Sequence, residues 1–135
     1  MLFRNASLYE SVPTMAYLRK EKEIVDVDFT ISRVWEAISK SIASLEWTIQ
    51  ESNETTHETK AKTKLNFMAY PSVITINATP QNEKTTRVTI SAETPVTTIT
   101  GIVDFGRTQQ RIDSFLLALT KQLKPEGTAN IKKEG

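Results

Sequence analysis

The sequence predicts an α+β domain in which an antiparallel sheet of about five strands carries two helices on one face, in the order β-α-β-β-β-β-α. Three observations carry this. Apolar and polar residues alternate in separate stretches between Glu23 and Glu93, the mark of strands with one buried face. Two other stretches, one early and one near the C-terminal end, repeat at helical spacing instead. Each helical stretch has a single apolar face, so both are expected to cover the same side of the sheet.

The first alternating stretch, Glu23 to Phe29, sets Val25, Val27 and Phe29 on one side and Asp26 and Asp28 on the other. Thr30 or Ser32 can cap the helix that follows, because a short hydroxyl side chain accepts from an otherwise unpaired backbone N–H. The apolar set of that helix is Ile31, Val34, Trp35, Ile38, Ile42 and Leu45, with Glu36 and Lys40 one turn apart on the far side. Leu45-Glu46-Trp47 is a direct join into a second strand, read from Trp47 and Ile49. Asn53-Glu54-Thr55-Thr56 turns the chain. Thr59, Ala61, Thr63, Leu65 and Phe67 then alternate with Lys60, Lys62 and Lys64.

Beyond Pro71, the core-facing set is Ile74, Ile76 and Ala78. A turn at Pro80-Gln81-Asn82-Glu83 leads to Val88, Ile90 and Ala92, which alternate with Arg87, Thr89, Ser91 and Glu93. Thr94 to Thr100 is β-prone but broken by Pro95, and reads as an edge extension or loop. Gly101 to Gly106 forms an elbow, with Asp104 as the expected cap of the last helix. That helix presents Ile112, Phe115, Leu116, Leu119 and Leu123, and Pro125 ends it. Residues 1–22 read as an N-terminal extension, 23–124 as a single domain and 125–135 as a polar, disordered tail. The arrangement leaves the side with Lys60, Lys62, Lys64, Arg87 and Thr89 facing solvent.

Composition narrows the function classes. The chain has 135 residues, 39% hydrophobic and 24% charged, which suits one globular domain. Its 17 basic and 16 acidic residues give a formal charge of +1, so no global attraction to nucleic acid or an anionic membrane is expected. With no cysteine there are no disulfides, thiolate metal sites or cysteine nucleophiles. No apolar run is long enough to span a bilayer, and Met1 to Ser7 lacks the core of a signal peptide, so the expected location is cytoplasmic.

The element order, over roughly residues 23 to 123, resembles the TBP-like and helix-grip folds, the latter including START lipid-transfer domains and the birch-pollen allergen family. The resemblance implies a gap between the C-terminal helix and the sheet in which apolar ligands are held. The elbow is also similar to that of an uncharacterised bacterial domain family with a Trp-x-Ile/Val strand and an Asp-x-Gly-x-Asn-x-x-Arg-Ile entry to its last helix. Trp47-Thr48-Ile49 matches the first motif, and Asp104, Gly106, Arg111 and Ile112 match the second, with Thr108 where the family has Asn. That family's Ser/Arg strand is absent, and Ser91-Ala92-Glu93-Thr94 stands in its place.

No catalytic constellation emerges. Asp104-Phe105-Gly106 spells a kinase magnesium motif without a glycine-rich loop or catalytic loop beside it, and reads as a helix entry. His57, the only histidine, reads as a surface residue, and no Gly-x-Ser-x-Gly accompanies it. Arg111 either meets a carboxylate or points to solvent, the second being favoured. No metal or cofactor is expected. Lys60, Lys62 and Lys64 could meet phosphates, but Glu58 and Glu93 and the lack of exposed aromatics disfavour nucleic acid.

The expected site is therefore a pocket between sheet and C-terminal helix, lined by Trp35, Trp47, Phe67, Met68, Tyr70, Phe115 and Leu119. A filled core competes with it, because about 100 ordered residues cannot give up much burial at roughly 25 cal/mol per Å2. The expected function is a non-enzymatic module binding a small apolar or amphipathic molecule. The alternative is a structural or protein-interaction domain, a homodimer through a sheet edge, without a ligand.

Overall fold

The computed structural model describes residues 17–64, 71–96 and 106–123. The elements are β1 (Tyr17–Val27), α1 (Ile31–Ser44), β2 (Thr48–Asn53), β3 (Glu58–Lys62), β4 (Val73–Pro80), β5 (Thr86–Val96) and α2 (Arg107–Gln122). The five strands form one antiparallel sheet in the order β1-β5-β4-β3-β2. Both helices lie on one face, and the architecture predicted from the sequence holds.

The core explains the shared face. Val34, Ile38 and Ile42 of α1, and Ile112, Phe115 and Leu119 of α2, are buried against Ile74, Ile76, Val88 and Ile90 of the sheet. α1 packs on β4, β2 and α2, whereas α2 covers β5 and β1. On the opposite face Lys62, Lys64, Arg87 and Glu93 are exposed as expected, whereas Lys60 and Thr89 are half-buried.

The sequence placed the first strand at Glu23, but pairing begins at Tyr17, so residues 17–22 are sheet rather than extension. Each residue from Tyr17 to Val27 opposes one from Val96 to Thr86 without interruption. Arg19, Glu21 and Glu23 occupy the inward positions here, so no apolar alternation marks the start. At the other end Phe29 lies beyond the strand, held by Thr86, whose Oγ1 donates to the Phe29 carbonyl at 2.8 Å.

Thr94 and Pro95 are also strand. β5 is interior, not an edge, and Pro95 opposes Leu18 of β1. Pro95 is tolerated because β4 has already ended at Val73, opposite Glu93, so no rung remains on that side for its missing N–H. Residues 97–100 of the predicted loop lie outside the described residues.

Helix ends follow local chemistry. Thr30 is the cap of α1, its Oγ1 accepting from Arg33 N–H at 3.3 Å. Thr30→Ala should lower stability by about 1 kcal/mol in denaturant titration; no change would mean the cap is idle. At the other end, Glu46 N–H donates to Ala43 and Trp47 N–H to Ile42, with Glu46 at φ 61. This is a Schellman closure with glutamate in the left-handed position that usually takes glycine. It makes the predicted direct join, although β2 starts at Thr48 and all its side chains are exposed. The N-cap of α2 is Gly106 at φ 80, without a side-chain cap, and not Asp104. Asp104, like Leu65 to Tyr70, lies outside the described residues.

Candidate functional site

The inner face of the sheet runs from a polar end to an apolar end. At the polar end, one row crosses four strand tracks. Arg19 of β1 opposes Thr94 of β5, whose Oγ1 meets Ser72 Oγ just before β4. Ser72 N–H in turn donates to Thr63 Oγ1 at 2.8 Å. Two residues from the first turns of α2 close over the row. Thr108 Oγ1 lies 2.9 Å from Thr94 Oγ1, and the Arg111 guanidinium donates to Ser72 Oγ. Ser72, Thr94 and Thr108 are fully buried, and Arg111 is half-buried.

A consistent orientation has Arg111 donating to Ser72, Ser72 to Thr94 and Thr94 to Thr108, so that Ser72 and Thr94 each both accept and donate. Arg111 was expected to face solvent. It turns inward because helical spacing puts it one turn from both Thr108 and Phe115, on the side packed toward β4.

The middle of the face is closed. Phe115 is fully buried and stacks on Trp47, with ring centroids 6.3 Å apart and planes at 20°. Trp35 meets His57 edge-on at 5.3 Å. His57 is accordingly half-buried rather than a free surface residue, and its φ of 55 closes the turn that Asn53 Oδ1 organises by accepting from Thr55 and Thr56 N–H.

At the apolar end, α2 and β1 diverge and leave a groove of about 610 Å3. Its walls are Val25, Val27 and Phe29 on one side and Leu116, Leu119 and Leu123 on the other. Asp28 and Thr120 supply its polar groups. Asp28 Oδ1 accepts from Thr85 Oγ1 at 3.4 Å, and Arg33 lies over the Phe29 ring at 5.1 Å. Toward the polar end, Gln109 Nε2 joins Glu23 and Asp113, donating to each at 3.0 Å, and ties α2 to β1.

The predicted pocket thus lies on the expected interface but along a different line. Of its four described residues, Trp35, Trp47, Phe115 and Leu119, only Leu119 lines the groove. Trp47 and Phe115 fill the core against each other, and Trp35 belongs to the His57 contact. Phe67, Met68 and Tyr70 lie outside the described residues. The sequence reading overlooked Val25, Val27 and Leu116 as groove-lining, and overlooked the hydroxyl row entirely. A signal for the row existed, since Thr94 shares its parity with Val88, Ile90 and Ala92, and Ser72 with Ile74 and Ile76.

Asp26, Arg87 and Glu46, whose values are displaced, lie outside this interface. The Arg87 guanidinium, donating to Asp26 at 2.9 and 3.2 Å, holds that carboxyl below its ordinary range. Lys64, 2.6 Å from Glu46, does the same there. Neither group faces the groove.

No protein-family model matches the chain, and none of the curated proteins matches it by sequence. Solved structures do match. Truncated norcoclaurine synthase from Thalictrum flavum superposes with a TM-score of 0.59 at 11% identity, over 86% of this chain and 99% of that one. The same enzyme in complex with dopamine and hydroxybenzaldehyde superposes at 0.56 and 12% identity, over 91% and 99%. The Zhui aromatase/cyclase from a Streptomyces species gives 0.54 and 10% identity, over 82% and 99%. The fold is therefore helix-grip, as the element order implied. The elbow's similarity to a bacterial domain family gains no support from family models. The expectation that the domain is not an enzyme is overturned, because the solved structures sharing its fold include a synthase and an aromatase/cyclase.

Proposed function

We propose that the domain binds a small, mostly apolar molecule in the groove between α2 and β1. The observation that carries this is the groove itself, about 610 Å3 walled by Val25, Val27, Phe29, Leu116, Leu119 and Leu123. Small-molecule sites typically enclose roughly 300–1,000 Å3, with apolar walls and a few polar groups that set orientation. Asp28 and Thr120 are those groups here, and a carboxylate beside a hydroxyl favours a ligand that presents a hydrogen-bond donor. An amphipathic molecule with its apolar body on the valines and leucines and its donor at Asp28 satisfies both. A helix-grip protein solved with dopamine and hydroxybenzaldehyde gives the reading a precedent in kind.

A titration with Nile red, an uncharged apolar fluorophore, tests it. Saturable binding of one dye per chain is expected. Leu116→Trp should fill the groove and weaken binding by about tenfold, some 1.4 kcal/mol, while the fold survives because Leu116 is only half-buried. Dye binding unaffected by Leu116→Trp would refute the assignment of the site.

A further inference from the structure

We infer that β1 is a homodimer interface, pairing antiparallel with β1 of a second copy about a two-fold axis at Ile24. Among the described residues, two edges of the sheet are open, β1 and β2. β2 is short and its register with β3 shifts between Ile49 and Glu51, a bulge of the kind that blunts an edge. β1 is the opposite. Its eleven residues pair with β5 without irregularity, so its other side offers a long, straight row of backbone donors and acceptors.

The charges on β1 select the register. Directly opposed residues of an antiparallel pair share a face, so a two-fold axis through a residue sets that residue against its own copy. With the axis at Ile24, the outer face brings Ile24 against Ile24 and Lys22 against the partner's Asp26. No like charges meet, and the charged pair occurs twice. Centring on Glu23 instead opposes two carboxylates at the axis. Centring on Lys22 opposes two ammonium groups and sets Glu21 against Glu23. Centring on Val25 leaves Ile24 against Asp26.

Ile24 itself is 54% exposed on the outer face, flanked by Lys22 and Asp26, and a second Ile24 would cover it. Complementary charge of this kind sets register and partner choice more than affinity, which comes from the backbone rungs and the covered isoleucine. Charged side chains usually keep an edge strand solitary; here their order makes the edge match itself.

The absence of cysteine makes the register directly readable. In the full chain, Ile24→Cys places two thiols across the axis, at the roughly 4.5–5.5 Å Cα separation of opposed residues that a disulfide accepts. Lys22→Cys places them about 13 Å apart, beyond bridging. Mild oxidation should therefore convert Ile24→Cys to a covalent dimer and leave Lys22→Cys monomeric under denaturing electrophoresis. Sedimentation of the unaltered chain should give twice the monomer mass, and Ile24→Lys, which sets two ammonium groups at the axis, should return it to a monomer with an unchanged circular dichroism spectrum. A monomeric unaltered chain, or equal cross-linking at both positions, overturns the inference. Ile24 faces away from the groove, so Nile red binding reports on the ligand site independently of either outcome.

Discussion

Phe115→Ala will destabilise the domain by about 3–5 kcal/mol, the range for deleting a fully buried aromatic ring whose surroundings cannot collapse. Phe115 is 0% exposed and braced by Trp47 on one side. It stands where α2 crosses the middle of the sheet, so its loss opens a void at the contact that holds the helix down. Domains of this size are stable by only about 5–15 kcal/mol in total, and each lost kcal/mol lowers the melting temperature by roughly 4–8 °C. Denaturant titration should show a lower midpoint with an unchanged slope, and the emission of Trp47 should shift to the red as its stacking partner disappears. The same variant also separates two locations for a ligand. Phe115 lines the sequence-predicted pocket but not the observed groove, so the folded fraction should bind Nile red as before. Loss of dye binding in protein shown to be folded would return the site to the Trp47 side of the helix.

What the sequence discloses and what it hides divide along a physical line. The alternation Ile74, Ile76, Ala78 and Val88, Ile90, Ala92 is local, and it correctly locates strands and their buried faces. The helical spacing of Val34, Ile38, Ile42 and of Ile112, Phe115, Leu119 does the same. The groove is not local. It exists because β1 pairs with β5, which brings Val25 and Val27 under Leu116 and Leu119 from the far end of the chain. Periodicity says that these residues are inward, not which inward residues meet. The rest was hidden by chemistry. Threonine is at home on either face of a strand, so only the parity of Thr63 and Thr94 with their apolar neighbours, and not their residue type, marked them as inward. The inward charges Arg19, Glu21 and Glu23 concealed the first half of β1. Phe115 and Trp47 looked like pocket walls for the converse reason, since an aromatic at an inward position has the same spacing whether it lines a space or fills one.

Thr94→Val is the sharper test of the polar end. Valine matches threonine in volume, so the substitution removes a hydroxyl without opening a cavity. It leaves Ser72 and Thr108, both fully buried, each short of a partner. A buried polar group deprived of its partner costs about 1–3 kcal/mol, more than the bond itself contributes. That cost should appear in denaturant titration although no apolar contact has been lost. The second substitution discriminates a connected row from a set of separate bonds. Thr108→Val removes one of the two groups from which Thr94→Val took a partner, so the double variant should lose less than the sum of the singles, by at least about 0.5 kcal/mol. Strict additivity would mean that the hydroxyls act singly. Coupling would make the row a single unit, joining the strand ends at Thr63, Ser72 and Thr94 to the first turns of α2. In that case Arg111, through its donation to Ser72, anchors the entry of the helix at one end of the interface. The other end, where α2 parts from β1, is then left open as the groove.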